Sequence, residues 1–207
     1  MDGIKAVIFD LGRVLVDFDH WISAKKLSSL TRKSPQELYD LFFDSQLVQS
    51  FEEGKIPAQD FFRQVKDALD LKIGFEEFVP LWSEIFFLSE ENQKVYQLAK
   101  KLRLRYIVAL LSNVNVLHLE YIKKNFPVWD AFDHVFASCE LGFIKPHPEI
   151  YRKALEGLGI KPAEAFYVDD RKELILEAKK LGIRGFVFLG LEQLKKDLAS
   201  CGVEYDA

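Results

Sequence analysis

Residues 6–15 read AVIFDLGRVL, and the first five of them decide the fold. The run 6–9 is continuously apolar rather than alternating, which is typical of a strand covered on both faces, and it ends at an acidic residue, Asp10. Similar short apolar runs follow at 107–111, 135–137, 165–168 and 186–189. The sequence therefore predicts several buried strands spread over the whole chain.

The segments between the later apolar runs have helical spacing. Val95, Leu98, Ala99 and Leu102 fall at positions i, i+3, i+4 and i+7, which places them on one face of a helix. Strands that alternate with helices favour an α/β fold in which a parallel sheet is covered by helices on both sides. We therefore expect a doubly wound parallel sheet.

The segment 18–88 has a different pattern, with helical stretches and no buried-strand run. Ser34 followed by Pro35 and Glu37 is a helix start with a capping box, and Phe75–Phe87 is predicted as a further aromatic-rich helix. We interpret residues 18–88 as an all-helical insertion, and residues 1–17 and 89–207 as the α/β core.

The composition of the chain excludes several classes of protein. It has 207 residues, 49% of them hydrophobic, and a formal net charge of −4 without a basic block, so neither a nucleic acid nor a membrane is expected as a partner. Cys139 and Cys201 have no metal-ligand spacing, and the N-terminus lacks the pattern of a secretion signal. A cytoplasmic location is expected, while the oligomeric state cannot be read from the sequence.

Polar side chains follow several of the predicted strands. In an open parallel sheet, ligands bind beyond the carboxyl ends of the strands, so these side chains are candidate site residues. They are Asp10 after the first run, Ser112 and Asn113 after the second, Lys145 in the stretch GFIKP after the third, and Asp169 and Asp170 after the fourth.

This set of residue types suits phosphoryl transfer. Carboxylates can hold one Mg²⁺, which prefers oxygen ligands and neutralises phosphate charge. Lys145, the Ser112 hydroxyl and backbone N–H groups near Asn113 would bind the phosphate oxygens. Arg13 can either meet a substrate anion or form a structural salt bridge. A carboxylate nucleophile would give an aspartyl-phosphate, which water then hydrolyses.

The four stretches DLGRVL (10–15), LLSN (110–113), GFIKP (142–146) and VDD (168–170) resemble, in this order, the four motifs of the haloacid dehalogenase superfamily. Residues 18–88 are similar to the helical cap of that superfamily. The stretch FEEGKI (51–56) resembles a cap segment of a bacterial subgroup that includes sugar-phosphate phosphatases. The resemblance implies a Rossmann-like core, Mg²⁺ and a small phosphorylated substrate.

The resemblance also implies a role for each matching residue. Asp10 would be the nucleophile and a metal ligand, and the backbone carbonyl of Gly12 a second ligand. Ser112 and Lys145 would bind phosphate and assist catalysis. Asp169 and Asp170 would complete the metal site.

Gly12 departs from the superfamily's pattern, because most of its phosphatases have a second aspartate there that carries protons. Asp17, Asp19 and His20 follow soon after and are candidates for that role, although they can equally cap a helix or face solvent. Glu173 and Leu174 stand where polar residues often support the metal, and leucine cannot do so.

Two rival functions stay open. A haloacid dehalogenase also uses an aspartate nucleophile without a second aspartate, but it needs no Mg²⁺ and would give the pair Asp169-Asp170 no purpose. A catalytically weak binding or regulatory protein would keep the fold without turnover. The preferred interpretation is a Mg²⁺-dependent phosphatase.

Overall fold

The computed structural model describes residues 3–43 and 45–205. In chain order its strands are β1 (Ala6–Phe9), β2 (Asp17–Phe18), β3 (Phe86–Phe87), β4 (Ile107–Ser112), β5 (His134–Ala137), β6 (Ala165–Asp169) and β7 (Arg184–Val187). Its helices are α1 (His20–Ser28), α2 (Pro35–Phe42), α3 (Gln46–Glu52), α4 (Ala58–Leu69), α5 (Phe75–Ser83), α6 (Glu90–Leu102), α7 (Val116–Asn125), α8 (Ser138–Leu141), α9 (Pro148–Leu158), α10 (Lys172–Lys180) and α11 (Leu191–Ser200).

The central sheet has five parallel strands in the order β5-β4-β1-β6-β7. Successive side chains of β1 alternate between two apolar clusters: Val7 and Phe9 pack with residues of α6 and α11, whereas Ala6 and Ile8 pack with residues of α9 and α10. The sheet is therefore covered by helices on both faces, which is why its strands are continuously apolar. The predicted doubly wound fold is confirmed.

The last strand lies two residues earlier than predicted. The apolar run 186–189 was expected to be the strand, but β7 pairs with β6 from Arg184 to Val187, and Leu189 is 77% exposed. Gly182 ends the preceding helix with a φ of +88°, so the chain enters the sheet as soon as the helix is over. The strand therefore starts with Arg184 and Gly185, which no apolar pattern marks.

Helices α1–α5 form a bundle between β2 and β3, and the predicted helix starts at Pro35 and Phe75 match those of α2 and α5. Ser34 caps α2 with the expected capping box. Between β2 and β3 the bundle is helical, as expected, and these two strands pair as a short antiparallel ribbon where the chain enters and leaves it. One expectation is wrong: the predicted helix 75–87 ends at Ser83. The i, i+4 spacing of Trp82 and Phe86 continues beyond the end of the helix, so spacing alone could not locate that end.

The ribbon lies next to both predicted domain boundaries, since one boundary falls within β2 and the other just after β3. The division into core and insertion remains a prediction. No helix within the described ranges combines the length and the apolar character that crossing a bilayer requires.

The bundle α1–α5 packs against α7. Leu117 belongs to the same buried cluster as the bundle's aromatic side chains. The neighbouring His118 is buried, with Nε2 at 3.2 Å from the carbonyl oxygen of Trp82 and Nδ1 at 3.0 Å from the amide nitrogen of Asn115. A neutral imidazole satisfies both contacts, with Nε2–H as donor and Nδ1 as acceptor.

His118 should make the protein sensitive to acid. Burial, with a smaller contribution from His20, lowers the pKa of His118 to about 3, whereas an unfolded histidine titrates near ~6.5. Below that pH the unfolded chain binds one more proton than the folded one. As the pH is lowered further, the free energy of unfolding should therefore fall by up to about 1.4 kcal/mol per pH unit because of this residue alone.

Urea unfolding at several pH values below about 6.5 measures this effect in the wild type and in His118→Phe. The variant lacks the titrating group and should lose about 1.4 kcal/mol less per pH unit. Parallel losses in the two proteins would show that His118 is protonated as easily in the folded state as in the unfolded one.

Candidate active site

Three predicted site residues meet because their strands are neighbours. β1 lies between β4 and β6, so Asp10, Ser112 and Asp169 all stand at the carboxyl edge of adjacent strands. The N–H of Asp10 donates to the carbonyl of Val168 at 2.9 Å, which extends the pairing of β1 with β6 up to the acidic residues. Asp10 and Ser112 are buried and Asp169 is fully so.

Lys145 reaches this edge from the loop before α9. Its ammonium group donates to Asp10 Oδ1 at 2.7 Å and to Asp169 Oδ2 at 2.7 Å. The carbonyl oxygen of Leu111 lies at 3.0 Å and the hydroxyl of Tyr167 at 3.1 Å. The lysine side chain is 2% exposed, so it is a buried cation between two carboxylates rather than a surface residue.

Asn113 fixes the loop that carries Lys145. Its amide nitrogen donates to the carbonyl of Lys145 at 2.9 Å, and its amide oxygen accepts the N–H of Lys145 at 2.7 Å. Both ends of the side chain are therefore used to hold the lysine backbone. The amide group is thus used, so the prediction that Asn113 binds phosphate can apply only to its backbone N–H, next to the buried hydroxyl of Ser112.

Three carboxyl groups lie close together at the site. Carboxylate oxygens of Asp10, Asp169 and Asp170 can be chosen that all lie within 4.8 Å of one another. Burial raises the pKa of Asp10 to about 7, with Lys145 opposing and Asp169 adding to the rise. Burial and the charge of Asp169 likewise raise the pKa of Asp170.

A bound cation would reduce the repulsion between these three carboxylates. Like charges this close are costly, and three hard oxygen donors suit Mg²⁺. Lys145 remains protonated here, because the attraction of Asp10 and Asp169 outweighs the effect of burial and raises its pKa. The donor set of this site therefore fits a divalent cation.

Tyr167 is a site residue that the sequence did not indicate. It lies on β6 two positions before Asp169, and its hydroxyl donates to Asp169 Oδ2 while it accepts from Lys145. The other oxygen of Asp169 accepts the N–H of Arg171 at 2.9 Å. A tyrosine within an apolar strand looks like a residue of the hydrophobic core. Only the polar neighbours of its hydroxyl group show that Tyr167 belongs to the site.

The loop after Asp10 packs against an aromatic ring. A Cβ atom on Gly12 would lie 2.8 Å from Cε1 of Phe18, so an aspartate at this position requires the ring to move. Arg13 has a φ of +58°, and its guanidinium group lies over the same ring, 5.3 Å from the centroid. Arg13 also opposes the rise in the pKa of Asp170, which places its charge near the carboxylates.

The candidates for a substitute proton carrier lie at the start of the helical bundle. Asp19 caps α1 by accepting the N–H of Trp21 at 2.9 Å, and Asp17 lies in β2. The ring of His20 is stacked on Phe43, with 4.2 Å between the centroids. The side chains of Asp19 and His20 therefore have structural contacts in or against the helices of the bundle.

The residues after Asp170 give the site no further polar side chain. Glu173 forms an ion pair with Arg171 at 2.7 Å, and both side chains are more than half exposed. Leu174 is buried in the helix. The groups that hold the carboxylates in place lie elsewhere, among them the Tyr167 hydroxyl and the Lys145 ammonium group.

The hydroxyl of Tyr167 offers a test of that support. Tyr167→Phe removes hydrogen bonds to two charged groups, which are worth about 1.5–3 kcal/mol, and outer groups of this kind change metal affinity or activity by about 10–100-fold. We expect Tyr167→Phe to weaken Mg²⁺ binding and turnover at least about tenfold.

Tyr151→Phe is the matched control, because its hydroxyl donates to a backbone carbonyl, that of Leu174 at 3.0 Å. It should cost about 1 kcal/mol of stability and leave Mg²⁺ binding unchanged. Calorimetric titration with Mg²⁺ and urea unfolding measure the two effects. Equal Mg²⁺ affinities in the two variants would show that the hydrogen bonds of the Tyr167 hydroxyl do not contribute to Mg²⁺ binding.

Comparisons with known proteins agree with this geometry. Residues 4–182 match the model of the haloacid dehalogenase-like hydrolase family. A D-ribitol-5-phosphate phosphatase of Bacteroides thetaiotaomicron is 30% identical over 88% of this chain and 91% of its own length. A glyceraldehyde 3-phosphate phosphatase of Pyrococcus furiosus is 30% identical over 89% of this chain and 80% of its own length.

A solved structure is also similar. It is a HAD-family enzyme of Bacteroides thetaiotaomicron in complex with magnesium and inorganic phosphate, which aligns with a TM-score of 0.80 and 29% identity. The alignment covers 89% of this chain and 94% of that one.

Proposed function

This chain belongs to the haloacid dehalogenase-like hydrolase family, and we propose that it is a Mg²⁺-dependent phosphatase whose nucleophile is Asp10. One observation carries the proposal: the buried ammonium group of Lys145 bridges Asp10 and Asp169, and Asp170 lies beside them. Carboxylates and a lysine converge here at the open edge of the sheet, where a phosphate can enter.

The metal would be held by carboxylate oxygens of Asp10, Asp169 and Asp170 and by the carbonyl of Gly12. When bound, Mg²⁺ neutralises the charge of the phosphate and of the carboxylates. Residues of the chain would bind the phosphate itself. Lys145 would bind a phosphate oxygen while it holds Asp10, and the Ser112 hydroxyl, the Asn113 N–H and Arg13 would bind the others.

The proposed reaction has two steps. An oxygen of the ionised Asp10 carboxylate forms a bond to phosphorus, the bond from phosphorus to the substrate oxygen breaks, and the released alcohol takes its proton from water. A water molecule then attacks the phosphorus of the aspartyl-phosphate, which releases inorganic phosphate and a proton and restores the carboxylate.

We propose a small phosphorylated polyol or sugar as the substrate. The support comes from two relatives that cover most of the chain, which are named for D-ribitol 5-phosphate and glyceraldehyde 3-phosphate. Both compounds carry one phosphate on a short hydroxylated chain.

The dehalogenase interpretation is disfavoured by the pair Asp169 and Asp170. A dehalogenase needs no cation, and the raised pKa of Asp170 marks a carboxyl group that burial and Asp169 penalise without one. Activity that disappears with a chelator and returns with Mg²⁺ distinguishes the two reactions.

The test is a screen of phosphorylated metabolites with and without Mg²⁺, with Asp10→Asn as the blank. The proposal predicts release of inorganic phosphate that requires both Mg²⁺ and Asp10. A protein that binds phosphate and Mg²⁺ but turns over none of the phosphate esters would instead be a binding or regulatory protein.

A further inference from the structure

The side chain of Ser138 lies beside the loop that follows β4. We call residues 112–115 the phosphate loop, because they include the Ser112 hydroxyl and the Asn113 N–H that are proposed to bind phosphate. Ser138 comes directly after β5, and β5 pairs with β4 so that Ala137 lies opposite Ser112. Ser138 is fully buried at this edge of the sheet. Its hydroxyl is therefore next to the active site without belonging to the carboxylate cluster.

Ser138 holds the backbone of the phosphate loop. Its Oγ accepts the N–H of Val114 at 2.9 Å, and Val114 is itself buried. This bond fixes the planar peptide unit that follows Asn113. It therefore limits the directions in which the N–H of Asn113 and the hydroxyl of Ser112 can point.

The same hydroxyl contacts the end of α3 in the helical bundle. Ser138 Oγ lies 2.7 Å from the carbonyl oxygen of Glu52 and 3.3 Å from that of Val114. A serine hydroxyl has one proton, and the shorter distance assigns it to Glu52. The last four carbonyls of a helix have no partner within the helix, and Ser138 supplies one for Glu52. Because the proton points to α3, a lone pair of Oγ is left for the N–H of Val114.

The end of α3 reaches Ser138 because Gly54 has no side chain. Gly54 has a φ of +67°, and a Cβ atom there would collide with the carbonyl oxygen of Cys139, the residue after Ser138. The turn after α3 and the backbone of α8 are therefore in direct contact. Any other residue at position 54 would push the turn away from α8 and take the Glu52 carbonyl with it.

We propose that Ser138 is a positioning residue of the phosphatase, which orients the phosphate loop by holding the N–H of Val114. The carbonyl of Glu52 keeps the Ser138 hydroxyl in the orientation that this bond requires. The arrangement of the phosphate-binding groups therefore depends on a contact with the end of α3. This inference rests on the proposed phosphatase function and adds a residue to its machinery.

Ser138→Ala leaves the N–H of Val114 buried without its acceptor, so the phosphate loop should move. We expect the dissociation constant for inorganic phosphate, measured by calorimetry with Mg²⁺ present, to rise about fivefold to tenfold, the range of one hydrogen bond. The value of kcat/KM for the best phosphate ester should fall about 10–100-fold, since a small displacement of a positioning group has effects of this size. The affinity for Mg²⁺ alone should stay unchanged, because its carboxylates follow β1 and β6. A loss of general stability would not separate phosphate from Mg²⁺ in this way.

Ser83→Ala is the matched control. Ser83 is also fully buried, but its hydroxyl has no hydrogen-bond partner among the described residues. The substitution removes the same atom without breaking a hydrogen bond. It should leave phosphate affinity and kcat/KM as they are in the wild type.

Gly54→Ala tests the contact with α3 from the other side, and it also serves if Ser138→Ala does not fold. It should weaken binding of inorganic phosphate by a factor similar to that of Ser138→Ala, although residue 54 is not among the proposed phosphate ligands. Gly159→Ala is its control, because Gly159 has a φ of +65° but nothing within 4 Å of an added Cβ atom. That variant should bind phosphate as the wild type does.

The double variant Ser138→Ala/Gly54→Ala decides whether the two residues act through one hydroxyl. If they do, its dissociation constant for phosphate should be no larger than that of Ser138→Ala, whereas independent effects would multiply. Inorganic phosphate has no organic part, so contacts with the rest of a substrate cannot influence this comparison.

Three results would overturn the proposal: wild-type affinity for phosphate in folded Ser138→Ala, wild-type affinity in Gly54→Ala, or effects that multiply in the double variant. An equal loss of Mg²⁺ affinity in Ser138→Ala would also overturn it, because the whole site would then be disturbed. The binding measurements need no turnover. A wild type that binds phosphate but hydrolyses no phosphate ester would refute the proposed function, while the dissociation constants would still decide the role of Ser138. A wild type that binds no phosphate with Mg²⁺ would refute both.

Discussion

Asp10→Asn is expected to abolish turnover and at the same time to stabilise the protein without Mg²⁺. The amide cannot act as a nucleophile, and the removal of a nucleophile typically costs at least about 10⁴ in kcat. Burial raises the pKa of Asp10 to about 7, so its ionised form is unfavourable in the folded state at neutral pH and above. The neutral amide avoids that cost and leaves Lys145 paired with Asp169.

The sign of the stability effect follows from linkage. A carboxyl group whose pKa is higher in the folded than in the unfolded state destabilises the fold as the pH rises above the unfolded value. We therefore expect the melting temperature of Asp10→Asn to rise by a few degrees, about 2–4 °C per kcal/mol for a chain of this size.

Asp19→Asn is the matched control, since asparagine caps a helix as well as aspartate does. It should change neither kcat nor the melting temperature, because the side chain of Asp19 caps α1. Mg²⁺-dependent phosphate release and thermal unfolding provide the two readouts. Turnover by Asp10→Asn above the rate of the reaction without protein would remove Asp10 from the role of nucleophile.

Lys145→Met should be the most destabilising substitution at the site. The side chain of Lys145 is 2% exposed, and it holds Asp10 and Asp169 together through hydrogen bonds of 2.7 Å. Its removal leaves two buried carboxylates without their cation. The loss of one partner of a buried ion pair typically costs about 3–5 kcal/mol, which corresponds here to roughly 10 °C in the melting temperature.

The same variant should bind phosphate poorly, and kcat/KM should fall by at least about 10²–10³. Mg²⁺ should stabilise Lys145→Met more than it stabilises the wild type, because the metal would then be the first cation to reach the carboxylates. Thermal unfolding over a range of Mg²⁺ concentrations tests this.

Lys153→Met serves as the control, because Lys153 is exposed on α9, where its ammonium group donates to the carbonyl of Leu141 and lies over the face of Phe143. It should change stability by less than about 0.5 kcal/mol. Equal stabilities of the Lys145 and Lys153 variants would contradict the buried ion pairs as described.

The fold was predictable because its strands are buried on both faces. An apolar run such as 6–9 can be recognised as a buried strand without knowledge of the strand with which it pairs. Its end marks the edge of the sheet where polar side chains gather. Asp10, Ser112 and Asp169 were found in this way. The alternation of strands with helices then predicts the parallel order of the sheet, which the structure confirms.

Other features depend on contacts that no local pattern records. The hydroxyl of Tyr167 reaches Lys145 only because the loop before α9 folds back over β6, and the amide of Asn113 holds that same loop. The fit between Gly12 and Phe18 depends on where the chain enters the helical bundle. Such pairings join residues of different structural elements, so they follow from the fold and not from a local sequence pattern.

The ribbon β2–β3 shows the same limit at the level of secondary structure. Two residues on each side form it, which is too short for any alternation to be visible in the sequence. Its aromatic residues Phe18, Phe86 and Phe87 therefore look like parts of helices until the two segments are paired.

Trapping of the aspartyl-phosphate tests most directly whether Asp10 is the nucleophile. Gly12 has no side chain to carry protons, so hydrolysis of the aspartyl-phosphate should be slow and the phosphorylated protein should accumulate during turnover. Rapid acid quenching with Mg²⁺ and an excess of the best substrate, followed by proteolysis and mass spectrometry, locates the phosphoryl group. We predict that it lies on Asp10, in the peptide that contains residues 6–15, and that it is absent without Mg²⁺. A phosphoryl group on another residue, or steady turnover with none on the protein, would contradict the account.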